Sequence, residues 1–261
     1  MQLIIGFILG AFVAFASYKV KFLTRSGATA TFLLAGTIFG IGGIKWSVPI
    51  LTFFILSSIL SKIRKKNTEN TETYFEKSGI RDHMQVIANG GIGGILVVYN
   101  NFYPDELFFY MYIASLAAVC ADTWATEIGT YKKSRTYNII NFKPVKQGMS
   151  GGISLLGTIG SFLGATTIAL SGFPWIADNH LSYFLIIIAC GIGGSLFDSL
   201  LGATIQVQYY CGRCDKITEK IKHCDQKSEY YRGYLWLNND LVNLFAGLAG
   251  TIIVTIYFIS A

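Results

Sequence analysis

The chain has 261 residues, 52% of them apolar and only 14% charged, against roughly 25% charged in an ordinary soluble domain, which argues against a conventional globular enzyme. Its 28 Gly, 19 Phe and 15 Tyr beside 4 Pro describe apolar helices in close contact, not a disordered or collagen-like polymer. A net charge of +6 suggests nucleic acid only until the apolar runs are seen, because in a membrane protein the location of positive charge matters more than its total.

Uncharged stretches cover 1–18, 28–44, 46–61, 84–99, 107–121, 147–173, 181–197 and 241–261. Most approach or exceed the roughly 17 residues that span a bilayer, and the fifth borrows flanking residues. The pattern predicts an all-α, polytopic bundle of about eight transmembrane helices forming one membrane-embedded domain over 1–261. The opening run has no basic residue before it, so it is expected to stay as a helix and not to be removed as a signal peptide.

The connections alternate in charge. Lys19, Lys21 and Arg25 follow the first span and Lys45 alone the second; Lys62, Arg64, Lys65, Lys66, Lys77 and Arg81 follow the third and none the fourth. Lys132, Lys133, Arg135, Lys143 and Lys146 follow the fifth, none the sixth, and Arg213, Lys216, Lys220, Lys222, Lys227 and Arg232 the seventh. Odd-numbered connections thus hold 20 of the 21 Lys and Arg residues, which predicts that they face the cytoplasm and that both termini lie outside.

Polar residues in or beside spans are costly unless paired or wetted, so they mark candidate sites. In chain order they are Arg25 and Ser26 within Thr24–Gly27, Asn89 in the fourth span, Asp122, Thr123 and Glu127 at the end of the fifth, Asp198 and Ser199 near the end of the seventh, and Asn239, Asp240 and Asn243 opening the eighth. All fall at the predicted cytoplasmic end. The outer connections hold only Asp105, Glu106, Asp178 and His180 besides Lys45. A transporter would concentrate polar groups near the midplane, so the asymmetry favours a cytoplasm-facing active site.

Asp122 and Glu127 are five residues apart, about 500° around a helix and not quite on one face. A loosened helix there would let both hold one hard cation through oxygen, with Asp198 and Asp240 adding ligands; the alternative is interfacial helix ends paired with lysines. Lys143-Pro-Val-Lys146-Gln-Gly148-Met-Ser150-Gly151-Gly152 offers charge, exposed backbone N–H groups and a Ser at a helix start, which is what an anion requires; the alternative is a basic turn with Ser150 as an ordinary N-cap. Cys120 and Cys190 lie in spans. Within 206–238, Cys211, Cys214, His223 and Cys224 have the ligand types of a Cys3His structural zinc site, although the adjacent second pair strains simultaneous ligation. Reduced surface thiols are the alternative in a reducing compartment.

Thr24-Arg-Ser-Gly27, Gln85-Val-Ile-Ala-Asn-Gly-Gly91, Ala121-Asp-Thr-Trp-Ala-Thr-Glu-Ile-Gly129, the loop from Lys143, Asp198-Ser-Leu-Leu-Gly-Ala-Thr204 with Gln206, and Asn239-Asp-Leu-Val-Asn243 together resemble the membrane family that contains the plant phytyl-phosphate kinases of tocopherol synthesis. The chain is more distantly similar to CTP-dependent polyprenol kinases. The resemblance implies transfer of the terminal phosphoryl group of an NTP, CTP or ATP, to an isoprenoid monophosphate. It implies Mg2+ on Asp122, Glu127, Asp198 and Asp240, lysines Lys143 and Lys146 on the phosphates, and Arg25, Ser26, Asn89, Thr123, Gly148, Ser150, Gly151, Gln206, Asn239 and Asn243 at substrate or nucleotide. A lipid phosphate is already a nucleophile, so no general base is needed. The obstacle is repulsion, about 4 kcal/mol for each pair of like charges ~4 Å apart at an effective dielectric near 20. The lipid tail would lie in the bilayer or among Gly90, Gly91, Gly93, Gly94, Gly191, Gly193 and Gly194, unless those glycines serve helix packing. A lipid-phosphate transporter or flippase, and a nucleotidyltransferase forming a CDP-lipid, use the same groups. Chain length, preferred nucleotide and oligomeric state are not legible in the sequence.

Overall fold

The structure, a computed structural model, describes residues 1–67, 80–176 and 180–260; Lys77 and Asp178 lie outside them. Seven α-helices follow one another among the described residues: α1 Gln2–Lys19, α2 Arg25–Asn67, α3 His83–Phe102, α4 Glu106–Gly129, α5 Leu155–Gly172, α6 His180–Thr204 and α7 Asn239–Ser260. All except α3 are long and apolar enough to cross a membrane. The 43 residues of α2 are about twice what a bilayer requires, and Gly43, at φ 61° and ψ −156°, breaks the helix into two segments. The division expected at Lys45 therefore falls two residues earlier, where only glycine adopts the backbone without strain. Lys45 lies just beyond it, its Nζ 4.2 Å from the centre of the Phe109 ring.

Helix α4 is the hub. Every residue from Tyr112 to Ala121 is buried, and the run of Ala114, Ser115, Ala117, Ala118 and Ala121 lets neighbours approach to backbone distance. A Cβ on Gly194 of α6 would sit 2.3 Å from Cβ of Ala118, and one on Gly164 of α5 would sit 2.8 Å from the carbonyl oxygen of Cys120. The same holds between α1 and α2, where Gly6 and Gly10 face Gly40 and Gly36, each too close for a side chain. Gly90 and Gly94 are filled by Leu34 and Gly93 by Tyr112. These glycines, with Gly191 and Gly194, serve as packing seams between helices. The outward faces carry exposed apolar side chains such as Ile8, Phe12, Phe162, Leu185 and Ile256, the surface hydrocarbon would solvate.

Among the described residues, strands occur only in two connections. Between α4 and α5, β1 Thr136–Asn138, β2 Pro144–Val145 and β3 Gly152–Ile153 form an antiparallel sheet ordered β2-β1-β3. Between α6 and α7, β4 Gln208–Cys211, β5 Lys216–Thr218 and β8 Glu229–Arg232 form a sheet ordered β5-β4-β8, beside a hairpin of β6 Lys222–His223 and β7 Gln226–Lys227. Gly148 and Gly151, at φ 88° and 77°, turn the chain back onto β1. Helix α5 consequently starts at Leu155, not near 147, and its N-cap is Ser154, whose hydroxyl accepts from the Gly157 N–H at 3.1 Å. Ser150 is not an N-cap.

The odd-numbered connections meet at one end of the bundle. Leu23 and Arg81 form a parallel bridge, with Thr24 N–H donating to the Arg81 carbonyl at 3.0 Å. Ser150 joins the α4–α5 connection to the α6–α7 connection by donating to Glu219 at 2.7 Å.

Candidate active site

A cavity of about 220 Å³ opens at that end, lined from α2, α3, α4, α5, α6, α7 and both sheet-bearing connections. Of the residues singled out in the sequence, Asn89, Asp122, Thr123, Glu127, Gly148, Ser150, Gly151, Asp198, Gln206, Asn239, Asp240 and Asn243 line it. They come from positions up to 154 residues apart, yet share one volume.

Within it the carboxyl groups of Asp122 and Asp198 lie close enough to interact with each other. The cause is one helical turn away. Ala118 and Gly194 meet Cβ to backbone, and four residues later along each helix come Asp122 and Asp198, on the same faces. Asp198 Oδ2 and Asn89 Oδ1 are buried and have no hydrogen-bond partner among the described residues. Two carboxylates in contact away from water repel unless a proton or a cation lies between them, and oxygen donors with an unused lone pair suit a hard divalent cation such as Mg2+.

Glu127 is placed differently from the expectation. Helix α4 runs unbroken from Glu106 to Gly129, so the five-residue offset turns Glu127 away from Asp122 and toward α2. There Ser61 Oγ donates to Glu127 Oε1 at 2.6 Å and Arg64 Nε donates to Oε2, with the side chains only 5% and 9% exposed. The carboxylates predicted as one metal cluster are thus divided between a facing pair, Asp122 with Asp198, and an ion pair, Glu127 with Arg64. Asp240 is buried at the start of α7, 3% exposed. Helix α7 is opened by Asn238, whose Oδ1 accepts from the Leu241 N–H at 3.1 Å.

The loop from Lys143 contributes its backbone and Ser150 to the cavity, but Lys143 and Lys146 do not line it and are exposed on the β2 side. Gly151 can only be glycine, since a Cβ there would lie 2.4 Å from Cβ of Ala203. Gln147 ties the loop down, donating to the carbonyls of Gly129 at 2.6 Å and Lys132 at 2.7 Å. Gln206 Nε2 donates to Glu219 at 2.9 Å, and this same Glu219 takes the Ser150 hydroxyl. Thr123 spends its hydroxyl on the Val119 carbonyl at 2.8 Å.

The cavity's positive charge comes from Arg64 and Arg81, which the sequence presents only as members of a basic connection. Arg81 NH1 donates to Ser58 Oγ at 3.1 Å, and its guanidinium lies 5.2 and 5.4 Å from the ring centres of Phe53 and Phe54. One signal was available: Arg81 precedes Asp82, which with Gln85 forms the capping box of α3, so its backbone is fixed at the mouth of a span. Arg25 and Ser26 do not line the cavity. Arg25 donates to Tyr18 at 3.4 Å and Ser26 is bonded to His83. Their motif acts through Gly27, where a Cβ would lie 2.3 Å from the Arg81 carbonyl oxygen, so it seats Arg81 instead of touching a ligand itself.

A second, smaller cavity of about 50 Å³ adjoins the first and shares Arg81, Gln85 and Asn89 with it. Its remaining wall is almost wholly hydrocarbon, from Val13, Leu34, Phe39, Ile50, Leu51, Phe53 and Val86 among others.

Residues 8–251 match the family described as integral membrane protein DUF92. Protein PGR of Arabidopsis thaliana is 31% identical over 243 residues, 84% of each chain. An uncharacterized membrane protein of Methanocaldococcus jannaschii is 29% identical over 209 residues, 79% of this chain and 84% of its own. Protein VTE6, chloroplastic, of Arabidopsis thaliana is 24% identical over 247 residues, 93% of this chain and 67% of its own. No solved structure matches significantly. The end-to-end match, over a helical bundle whose outward faces are apolar, makes the chain a member of the DUF92 family of integral membrane proteins.

Proposed function

We propose that this protein is a membrane-embedded phosphotransferase that moves the terminal phosphoryl group of an NTP onto an isoprenoid monophosphate, giving the diphosphate and an NDP. The observation that carries it is the junction of a polar, acid-lined cavity with a hydrocarbon-lined one at Arg81, Gln85 and Asn89. A molecule with an anionic head and an apolar tail suits that pair of cavities. The resemblance to plant phytyl-phosphate kinases and the likeness to Protein VTE6 over 93% of this chain point the same way.

In this reading Arg81 holds the acceptor's phosphate at the junction while the tail lies toward Phe53, Leu34 and Val86. The backbone of 148–151, fixed by Gln147, faces the donor phosphates. Asp122 and Asp198, with the unpartnered Oδ2 of Asp198, would hold Mg2+, whose chemistry when bound is to neutralise phosphate charge and lower the repulsion between donor and acceptor. An acceptor oxygen attacks the terminal phosphorus, the bond to the NDP oxygen breaks, and no side chain need take a proton, since the attacking oxygen is already anionic. Arg64, turned to Glu127, keeps that carboxylate from adding to the repulsion. The basic connections at this end support a cytoplasm-facing site under the positive-inside rule.

The test is direct. Purified protein is incubated with Mg2+, each NTP in turn and a panel of prenyl monophosphates, and products are identified by mass. Prenyl diphosphate with NDP is the expected result; pyrophosphate release would make it a nucleotidyltransferase, and lipid movement between leaflets without NTP consumption would make it a transporter.

A further inference from the structure

The α6–α7 connection contains a second constellation that the phosphotransfer reading leaves unused. Cys211, Cys214, His223 and Cys224 each present a ligand atom, and the four atoms lie within 4.8 Å of one another. Sγ of Cys214 and Sγ of Cys224 are 3.4 and 3.3 Å from Nδ1 of His223. Tetrahedral zinc with Zn–S near 2.3 Å and Zn–N near 2.05 Å separates its nitrogen and sulfur ligands by roughly 3.5 Å, so the spacing already matches. The five cysteines are free thiols.

In the sequence, the adjacency of His223 and Cys224 strains their simultaneous ligation. The backbone resolves it. Residues 224 and 225 form the two-residue turn between β6 and β7, both at positive φ, 52° and 60°, a conformation in which hairpins normally use Asn or Gly. The left-handed turn brings the Cys224 thiol back to the His223 ring. Asp215, just after Cys214, is also left-handed at φ 52°, so each pair of ligands is followed or formed by a tight knuckle. Arg213 NH1 clasps the two knuckles by donating to the Cys224 carbonyl at 3.0 Å, and Gln226 Nε2 donates to Cys211 Sγ at 3.7 Å, an outer contact of the kind that orients thiolate ligands.

We propose that Cys211, Cys214, His223 and Cys224 bind one Zn2+, and that this ion fixes the fold of the connection that carries Glu219 to the cavity. Cys211 ends β4 and is paired with Lys216 at the start of β5. Strand β5 ends at Thr218, and Glu219 follows directly, accepting from Ser150 and Gln206. β5 is an edge strand paired only with β4, so the metal-closed turn between them sets where Glu219 lies. Glu219 is a positioning residue here: through Ser150 and Gln206 it holds the glycine loop at the cavity wall.

The experiment does not require turnover. Full-length protein purified without chelator is analysed for metal, then titrated with a thiol reagent in the presence of a zinc-responsive dye. One zinc per chain, released in step with thiol modification, is expected; protein grown with ample zinc and containing none would overturn the site. Cobalt substitution should give the charge-transfer and d–d absorption of a tetrahedral three-thiolate centre. His223→Cys should retain zinc and His223→Ala should lose it; equal zinc contents in the two would remove His223 from the ligand set. Removal of zinc from the wild type should loosen this connection and speed tryptic cleavage after Lys216, Lys220, Lys222 and Lys227, reversed by adding zinc. An unchanged digestion pattern would show that the metal does not hold this connection.

Discussion

The cavity and the cysteine knuckle both gather groups that repel or react when left alone, and they do so by opposite means. The cavity collects side chains from six helices and three connections, spread from Ser58 to Asn243, and their positions follow from how tightly glycine and alanine let the helices approach. The knuckle collects its four ligands from 14 residues of chain, 211 to 224, held by strands of two to four residues too short to be stable unaided. The first site is specified by packing at a distance. The second is specified by local turns and needs an ion to hold them.

That contrast can be broken or sharpened by substitution. The largest effect is expected at the Arg64–Glu127 ion pair in the cavity wall. Arg64→Ala leaves Glu127 buried without its cation and should cost about 3–5 kcal/mol, read as thermal unfolding in detergent, whereas the apolar double change Arg64→Met with Glu127→Leu should recover most of the loss. Equal destabilisation in the single and double variants would mean that the carboxylate is not the problem.

Next comes Asp198→Asn, which keeps shape but removes charge from the facing pair and should lower turnover by about 10²–10³ with little change in unfolding temperature. Asp122→Asn should match it. Glu127→Gln should act chiefly on stability, because Glu127 faces Arg64; a rate loss as large as that of Asp122→Asn would return Glu127 to the reacting centre.

A smaller effect belongs to the helix seam. Gly194→Ala forces a methyl against Ala118 and should cost roughly 1–3 kcal/mol, while Gly193→Ala, which meets only the flexible tip of Ile253, should cost less. Turnover should fall with the first and not the second, since only the first spreads Asp122 from Asp198. The smallest effect is predicted for Lys146→Met, which should resemble Lys132→Met within the ~1 kcal/mol of a surface lysine. Arg81→Met should instead raise the KM for the lipid acceptor strongly. If Lys146→Met abolished activity while Arg81→Met did not, the charge on the phosphates would belong to the loop after all.

What the sequence made legible were properties that accumulate along the chain. Spans emerge from long uncharged runs, and the shared end of Asn89, Asp122, Asp198 and Asp240 emerges from the alternation of basic connections. What it hid were directions. Whether Glu127 turns to Asp122 or to Arg64 depends on 140° of helix rotation and on which neighbour occupies that side, and nothing local to Glu127 encodes that α2 passes there. Ser150 and Ser154 are equally good caps in isolation; the choice was made by Gly148 and Gly151 folding the loop into a sheet. Lys143 and Lys146 read as phosphate ligands because a basic glycine-rich loop reports charge and free backbone without the direction in which the side chains point.

The reciprocal glycines of α1 and α2 have a consequence for how the molecule is made. Residues 6, 10, 36 and 40 all leave the ribosome before Asp122 is synthesised, so the first helical hairpin can seal while the acidic helices do not yet exist. The hydrocarbon cavity draws on this early pair, together with α3. The carboxyl of Asp122 then waits through some 75 residues of synthesis for Asp198, and the cavity is not walled in until Asn239 and Asp240 arrive with the final helix. Biogenesis thus runs from the apolar side to the charged side, and a nascent chain stalled between α4 and α6 would hold one acid of the pair with its partner still unmade.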